Sequence, residues 1–157
     1  MSSAKHEKNY KELSICVCFF AGAVASCAAV RFFPSYLPEP GSTQGLAFCS
    51  FGALGALLFG CSAVGRFVLP VISFSVGACV CRAFAAVRVH GGGEPLVLVS
   101  YFVLIPLFLL LSGRGFCLSS ALAECFRGRE RQQRREYIFL SCAVIVASAL
   151  ILLFTER

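Results

Sequence analysis

The sequence contains no aspartate, and between Gly41 and Cys81 its only charged residue is Arg66. A second uncharged run extends from Pro95 to Gly113 and a third from Tyr137 to Thr155. These runs are close to the ~20 residues that a helix rising ~1.5 Å per residue needs to cross the hydrocarbon core of a bilayer. The pattern predicts an all-α fold: an integral membrane helical bundle of about five transmembrane helices with proline and glycine bends. Because acid–base groups are nearly absent from its interior, shape, packing and partners are expected to carry the function.

Composition points the same way. Hydrophobic residues make up 58% of the 157 residues, charged residues 14%, and the mean hydropathy is +0.81, too apolar for a soluble domain of this size. A polar N-terminus (residues 1–12) and a single membrane domain (13–157) follow. The net charge of +6 is concentrated in Lys5, Lys8 and Lys11 and in the run Arg127–Arg135. That asymmetry bears on topology; binding to nucleic acid is not expected, since little soluble surface is left for it.

Spans are expected at about 13–33, 45–65, 67–89, 95–113 and 137–154. The prolines of the segment 34–41 close the first, and small residues recur along it at four-residue spacing (Ala21, Ala25, Ala29). Its lysine-flanked start and the box Val24-Ala-Ser-Cys27 resemble a leader, but it is expected to remain as an uncleaved span. The second carries Gly52, Ala56 and Gly60 on one face, a ladder that lets backbones approach closely. Intramolecular packing is its expected use and homodimerisation the alternative.

Arg66 and Pro70 divide the second span from the third, in which Arg82 must snorkel unless the span is short, tilted or broken near Gly77. The fourth is expected to bend at Pro106 and to reach Gly113, with Phe116–Phe126 prolonging it or lying at the interface. A basic loop, 127–136, leads into the fifth. Pro70, Gly77, Cys81 and Ala85 are matched at an offset of 36 by Pro106, Gly113, Cys117 and Ala121, a faint internal repeat. With the N-terminus cytoplasmic and five spans, the lysines, Arg66, Arg114 and the arginines of 127–135 fall inside, against Arg31, Arg82, Arg88 and Arg157 outside, as the positive-inside rule prefers; a count of four spans would put the C-terminus inside. Arg127, Arg129, Arg131, Arg134 and Arg135 can then contact anionic lipid.

Chemistry is sparse. The ten cysteines lie nearly all in apolar runs, and neither Cys-x-Cys pair (16/18, 79/81) has the second ligand pair of a zinc site, so they read as small hydrophobes. No Gly-x-Ser-x-Gly or His-Glu-x-x-His occurs. His90, with Glu94 nearby, could act as a general base but reads as a solvated turn histidine. Glu39, Glu94, Glu124, Glu130 and Glu156 fall at ends or loops, away from where ion-coupled transport needs a carboxylate. No enzyme activity, cofactor or metal is expected.

One stretch carries a family resemblance. Leu57-Leu-Phe-Gly-Cys-Ser-Ala-Val-Gly65, then Leu69-Pro70 and Gly77, followed by Ile105-Pro106, Leu118-Ser-Ser-Ala-Leu122 and the apolar run Tyr137–Phe154, resembles the stage II sporulation protein M family. Gly22 in the first span fits the same pattern. The chain departs from it at Val76, where the family commonly has a basic residue, at Ser100-Tyr-Phe-Val, and in the short segment Pro34–Gln44. The resemblance implies a non-enzymatic membrane scaffold of the engulfment machinery, multi-pass in a bacterial cytoplasmic membrane. It would gather the peptidoglycan-degrading sporulation proteins D and P. A small transporter or permease subunit is the alternative. The positions expected to matter are Gly52, Ala56, Gly60, Pro70, Gly77, Pro106 and Gly113.

Overall fold

Long apolar runs with few internal breaks form long helices. A computed structural model of the chain describes residues 2–33, 44–90, 95–123 and 130–155, which form five helices and, among the described residues, no strand. These are α1 (Ser2–Phe32), α2 (Gln44–Gly60), α3 (Gly65–His90), α4 (Pro95–Ala123) and α5 (Glu130–Thr155). Among the described residues, three segments are long and apolar enough to cross a membrane: Glu12–Phe32, Gly65–Arg88 and Val99–Ala123. The apolar part of α2 is shorter, Ala47–Gly60.

Several boundaries differ from those expected. The α1 helix starts at Ser2, so most of the polar N-terminus is helical. At the other end of the first hairpin, α2 stops at Gly60, short of residue 65. There Ser62 turns back, its amide (3.0 Å) and its hydroxyl (2.9 Å) both donating to the Phe59 carbonyl. This local capping competes with continuation of the helix. Of the two outcomes expected for Phe116 and the residues after it, the helix is prolonged: α4 runs to Ala123. The expected loop 127–136 is helical from Glu130, where Glu, Arg and Gln are all good helix formers and Glu130 and Arg134 stand four apart. Residues 127–129 lie outside the described residues.

The helices run alternately up and down. A sulfur contact between Cys27 and Cys81 (3.1 Å), beyond a crossing at Gly22 and Gly77, makes α1 and α3 parallel. Phe84 packs on Tyr101 (ring centroids 5.3 Å), placing the start of α4 at the far end of α3. Tyr137 reaches Ala56, returning the start of α5 to the Gly60–Gly65 end. α4 is central: among the described residues it packs against each of the other four helices.

The bundle is inverted relative to a water-soluble one. Phe20, Phe51, Phe102 and Phe139 each expose well over half their surface, along with valines and leucines on every helix. Every buried polar residue among those described is a serine. Water would not tolerate that exterior, whereas lipid tails would, and small interior residues are what close packing in lipid requires. Serine hydroxyls can bond back to their own helix, as Ser141 does to the Tyr137 carbonyl (2.7 Å) and Ser148 to that of Ile145 (2.9 Å).

The core has two halves. Near the Gly60–Gly65 end it contains Ile15, Ala53, Ala56, Leu69, Leu111, Leu118, Tyr137 and Val144. The far half contains Phe19, Cys49, Val76, Val80, Ala83, Tyr101, Leu104 and Phe108. In the far half the Tyr101 hydroxyl is buried with no hydrogen-bond partner among the described residues. Tyr101→Phe is therefore expected to stabilise the protein by about 1 kcal/mol, because the penalty of an unsatisfied buried hydroxyl disappears. A rise in the unfolding temperature in detergent would show it; a fall would mean the hydroxyl has a partner.

Candidate helix-contact site

The α1 and α3 helices come into backbone contact. A β-carbon at Gly22 would overlap the Phe74 carbonyl oxygen and lie 2.8 Å from that carbonyl's carbon. At Gly77 one would overlap the Phe19 carbonyl oxygen and lie 2.9 Å from its carbon. The arrangement is reciprocal: in each helix a phenylalanine precedes the glycine by three residues, and each carbonyl rests on the other helix's glycine. Small residues admit this approach, which brings Cα–H groups onto carbonyls. Neither backbone can rotate out of the way, so only glycine fits.

A second contact joins α2 to α3, α4 and α5. At Gly52 a β-carbon would sit 2.6 Å from Val76 Cγ2 and 3.0 Å from Phe108 Cε2. Ala56 is fully buried, and its carbonyl accepts the Tyr137 hydroxyl. The Tyr137 ring wedges between two glycines. A β-carbon at Gly60 would overlap the hydroxyl and lie 2.6 Å from Cζ; one at Gly115 would lie 2.5 Å from the hydroxyl and 3.0 Å from Cζ. The Gly52–Ala56–Gly60 face is thus occupied by the chain's own helices and is not open to a second copy.

Around this wedge, polar side chains serve the turn between α2 and α3. Ser119 donates to the Ser62 carbonyl (2.6 Å), and Arg134 Nη2 donates to that of Cys61 (3.2 Å). Gly65 lets the turn close, since a β-carbon there would overlap the Phe59 carbonyl oxygen and lie 2.9 Å from Ser119 Oγ. Arg134 places positive charge just beyond the end of α2, where the helix dipole is negative. Glu12 and Arg114 form a half-exposed pair at 3.9 Å, and the Arg66 guanidinium lies over the Phe67 ring, 4.6 Å from its centroid. Arg66, Arg114, Arg134 and Arg135 therefore belong to one end of the bundle.

The other expected positions behave differently. Pro70 lies half-buried in the second turn of α3, and Pro106 is exposed on the outer face of α4. Gly113 is buried but loose: a β-carbon there would make ordinary contact with Glu12 Cγ at 3.5 Å. The faint repeat is therefore not used twice, since Gly77 meets backbone and Gly113 a side-chain methylene. Arg127, Arg129 and Glu94, like the side chains of Arg131 and His90, lie outside the described residues. Among the described residues no three His, Cys, Asp or Glu side chains form a group able to hold a metal.

Sequence reasoning passed over Gly115, Tyr137 and Gly65 as contact residues. A small residue beside a predicted span end, with a tyrosine opening the next span, was the available signal. No family model, curated protein or solved structure matches the chain.

Proposed function

We propose that the chain is a five-span membrane protein that acts as a non-enzymatic scaffold, holding other proteins through its lipid-embedded faces. The observation that carries this reading is where the charges lie. The described acidic side chains, Glu12 and Glu136, sit at the Gly60–Gly65 end with Arg66, Arg114, Arg134 and Arg135. The far half of the core is built from apolar side chains and a tyrosine. Ion-coupled transport draws on a carboxylate or similar group within the membrane. The charged side chain described in the far half is a cation, Arg82 of α3, half-buried with its Nε enclosed, and no described carboxylate joins it there.

In this reading α2 and α5 also cross, α2 in a locally thinned or tilted fashion. The arginine-rich end faces the cytoplasm of a bacterial cell, so the N-terminus is inside and the C-terminus outside. The resemblance to the stage II sporulation protein M family, resting on the residues quoted above, names the partners to test: the peptidoglycan-degrading sporulation proteins D and P. Contact with anionic lipid falls to Arg127, Arg129, Arg131 and Arg135, Arg134 being engaged with α2.

Affinity purification from mild detergent tests the reading. Recovery of peptidoglycan hydrolases supports it, whereas recovery of an ATPase subunit overturns it in favour of a permease. Leucine at Pro70 and Pro106 restores an amide to each helix and should stiffen it; recruitment unchanged by both substitutions would remove those prolines from the function. Reporter fusions at the two termini test the orientation: activity of a periplasmic reporter at the N-terminus would reverse it.

A further inference from the structure

The α1–α3 crossing has a second consequence. One turn beyond Gly22 and Gly77, Cys27 of α1 and Cys81 of α3 meet with their sulfurs 3.1 Å apart, both as free thiols. The glycines set this distance, because parallel helices in backbone contact bring facing β-carbons into the range a disulfide spans, about 3.5–4.5 Å. The sulfurs need approach by only about 1 Å more to bond. Cys27 is exposed and Cys81 half-buried, so once the chain is taken up in detergent the Cys27 thiol is the one more open to a donor. Both lie within ~11 Å of the end of their apolar segments, at ~1.5 Å per residue from Phe32 and Arg88.

We infer that Cys27 and Cys81 form a dithiol modification site that closes to a disulfide stapling α1 to α3, with a small disulfide or an oxidised dithiol oxidoreductase as the oxidant. The thiolate of Cys27 attacks one sulfur of the donor R–S–S–R, forming a Cys27–S–S–R mixed disulfide and releasing RS⁻. The thiolate of Cys81 then attacks the Cys27 sulfur, forming the Cys27–Cys81 bond and releasing a second RS⁻. The two protons lost by the cysteines end on the leaving thiolates. Two protein thiols are oxidised and one donor disulfide is reduced to two thiols. Attack by Cys81 is fast because it is intramolecular and the two sulfurs already stand 3.1 Å apart. The staple encloses residues 27 to 81, which include all of α2 and the turn to α3, and so ties the first three helices together. This inference does not depend on the scaffold reading or on which face of the membrane is which.

The test uses the full chain in detergent, reduced, freed of reductant and treated with oxidised glutathione. Remaining thiols are blocked with N-ethylmaleimide and counted by intact mass, and the cross-link is located by peptide mapping. Two of the ten thiols are expected to be lost, with Cys27 joined to Cys81 and no glutathione retained. The unfolding temperature should rise by about 5 °C or more, reversibly on reduction. Cys27→Ser and Cys81→Ser should each abolish the two-thiol loss, while Cys142→Ser, at an exposed cysteine of α5, should leave it intact. Full labelling of all thiols, glutathione retained on Cys27, cross-links between copies, or a map to another pair would each overturn the inference.

Discussion

Gly77→Val is expected to part α1 from α3 and lower the apparent unfolding temperature of the detergent-solubilised protein by about 6–12 °C. Overpacking a core costs about 1–3 kcal/mol when side chains can yield. Here the first added carbon meets the Phe19 backbone, which cannot yield without moving the helix, so the upper end of that range applies. For a chain of this size about 1 kcal/mol corresponds to about 2–4 °C. Gly22→Val meets the Phe74 backbone and should cost as much. The double variant should cost less than the sum, because one lesion already opens the crossing that the other would obstruct. Gly113→Ala is the control: its nearest neighbour would be 3.5 Å away, and alanine favours a helix over glycine by about 1 kcal/mol, so no loss is expected. A Gly77→Val protein that unfolds within 2 °C of the parent, on the order of a single surface substitution, would mean that the backbones do not meet there.

The contrast between Gly77 and Gly113 marks where sequence reading stops. The uncharged runs located the helices, because in lipid few charges can sit mid-span and each interruption, at Pro34–Gly41 or at the three glycines before Glu94, is visible as composition. They could not tell which glycine in a helix meets a neighbour. Gly113 and Gly115 are two residues apart and so point about 200° apart around α4. The run Leu109–Leu111 before them is apolar on all sides, so nothing in the sequence says which side faces inward. In a soluble helix the polar face would settle the matter; here both lipid and core accept leucine. The same ambiguity hid Pro106, expected to shape a cavity or contact and found facing outward.

Capping was equally hard to foresee. The apolar pattern continues through Gly60 to Gly65, and only the Ser62 bonds to the Phe59 carbonyl end α2 earlier. The basic run was easier: its Glu130–Arg134 pair fits a short exposed helix, and the run is helical from Glu130, with Arg134 finding a carbonyl one turn into α5. The grouping of charge was legible: Arg66, Arg114 and Arg134 were expected on one side, and the structure brings them to one end.

The Tyr137 wedge makes the most discriminating prediction. Gly60→Ala and Gly115→Ala are each expected to destabilise the bundle by about 2 kcal/mol, since the ring is held by its hydroxyl on the Ala56 carbonyl and cannot easily swing away. Tyr137→Phe alone should cost about 1 kcal/mol for the lost hydrogen bond. The combinations should then differ. At Gly115 the hydroxyl is the closest atom, and without it the next contacts are at 3.0 Å and 3.3 Å, so phenylalanine should recover most of the loss. At Gly60 the ring carbon Cζ would still lie 2.6 Å away, so phenylalanine should recover little, and a smaller residue such as leucine is needed. Unfolding temperatures for the two double-mutant cycles measure the difference directly. Equal rescue at both glycines would place the tyrosine ring outside the cleft between α2 and α4.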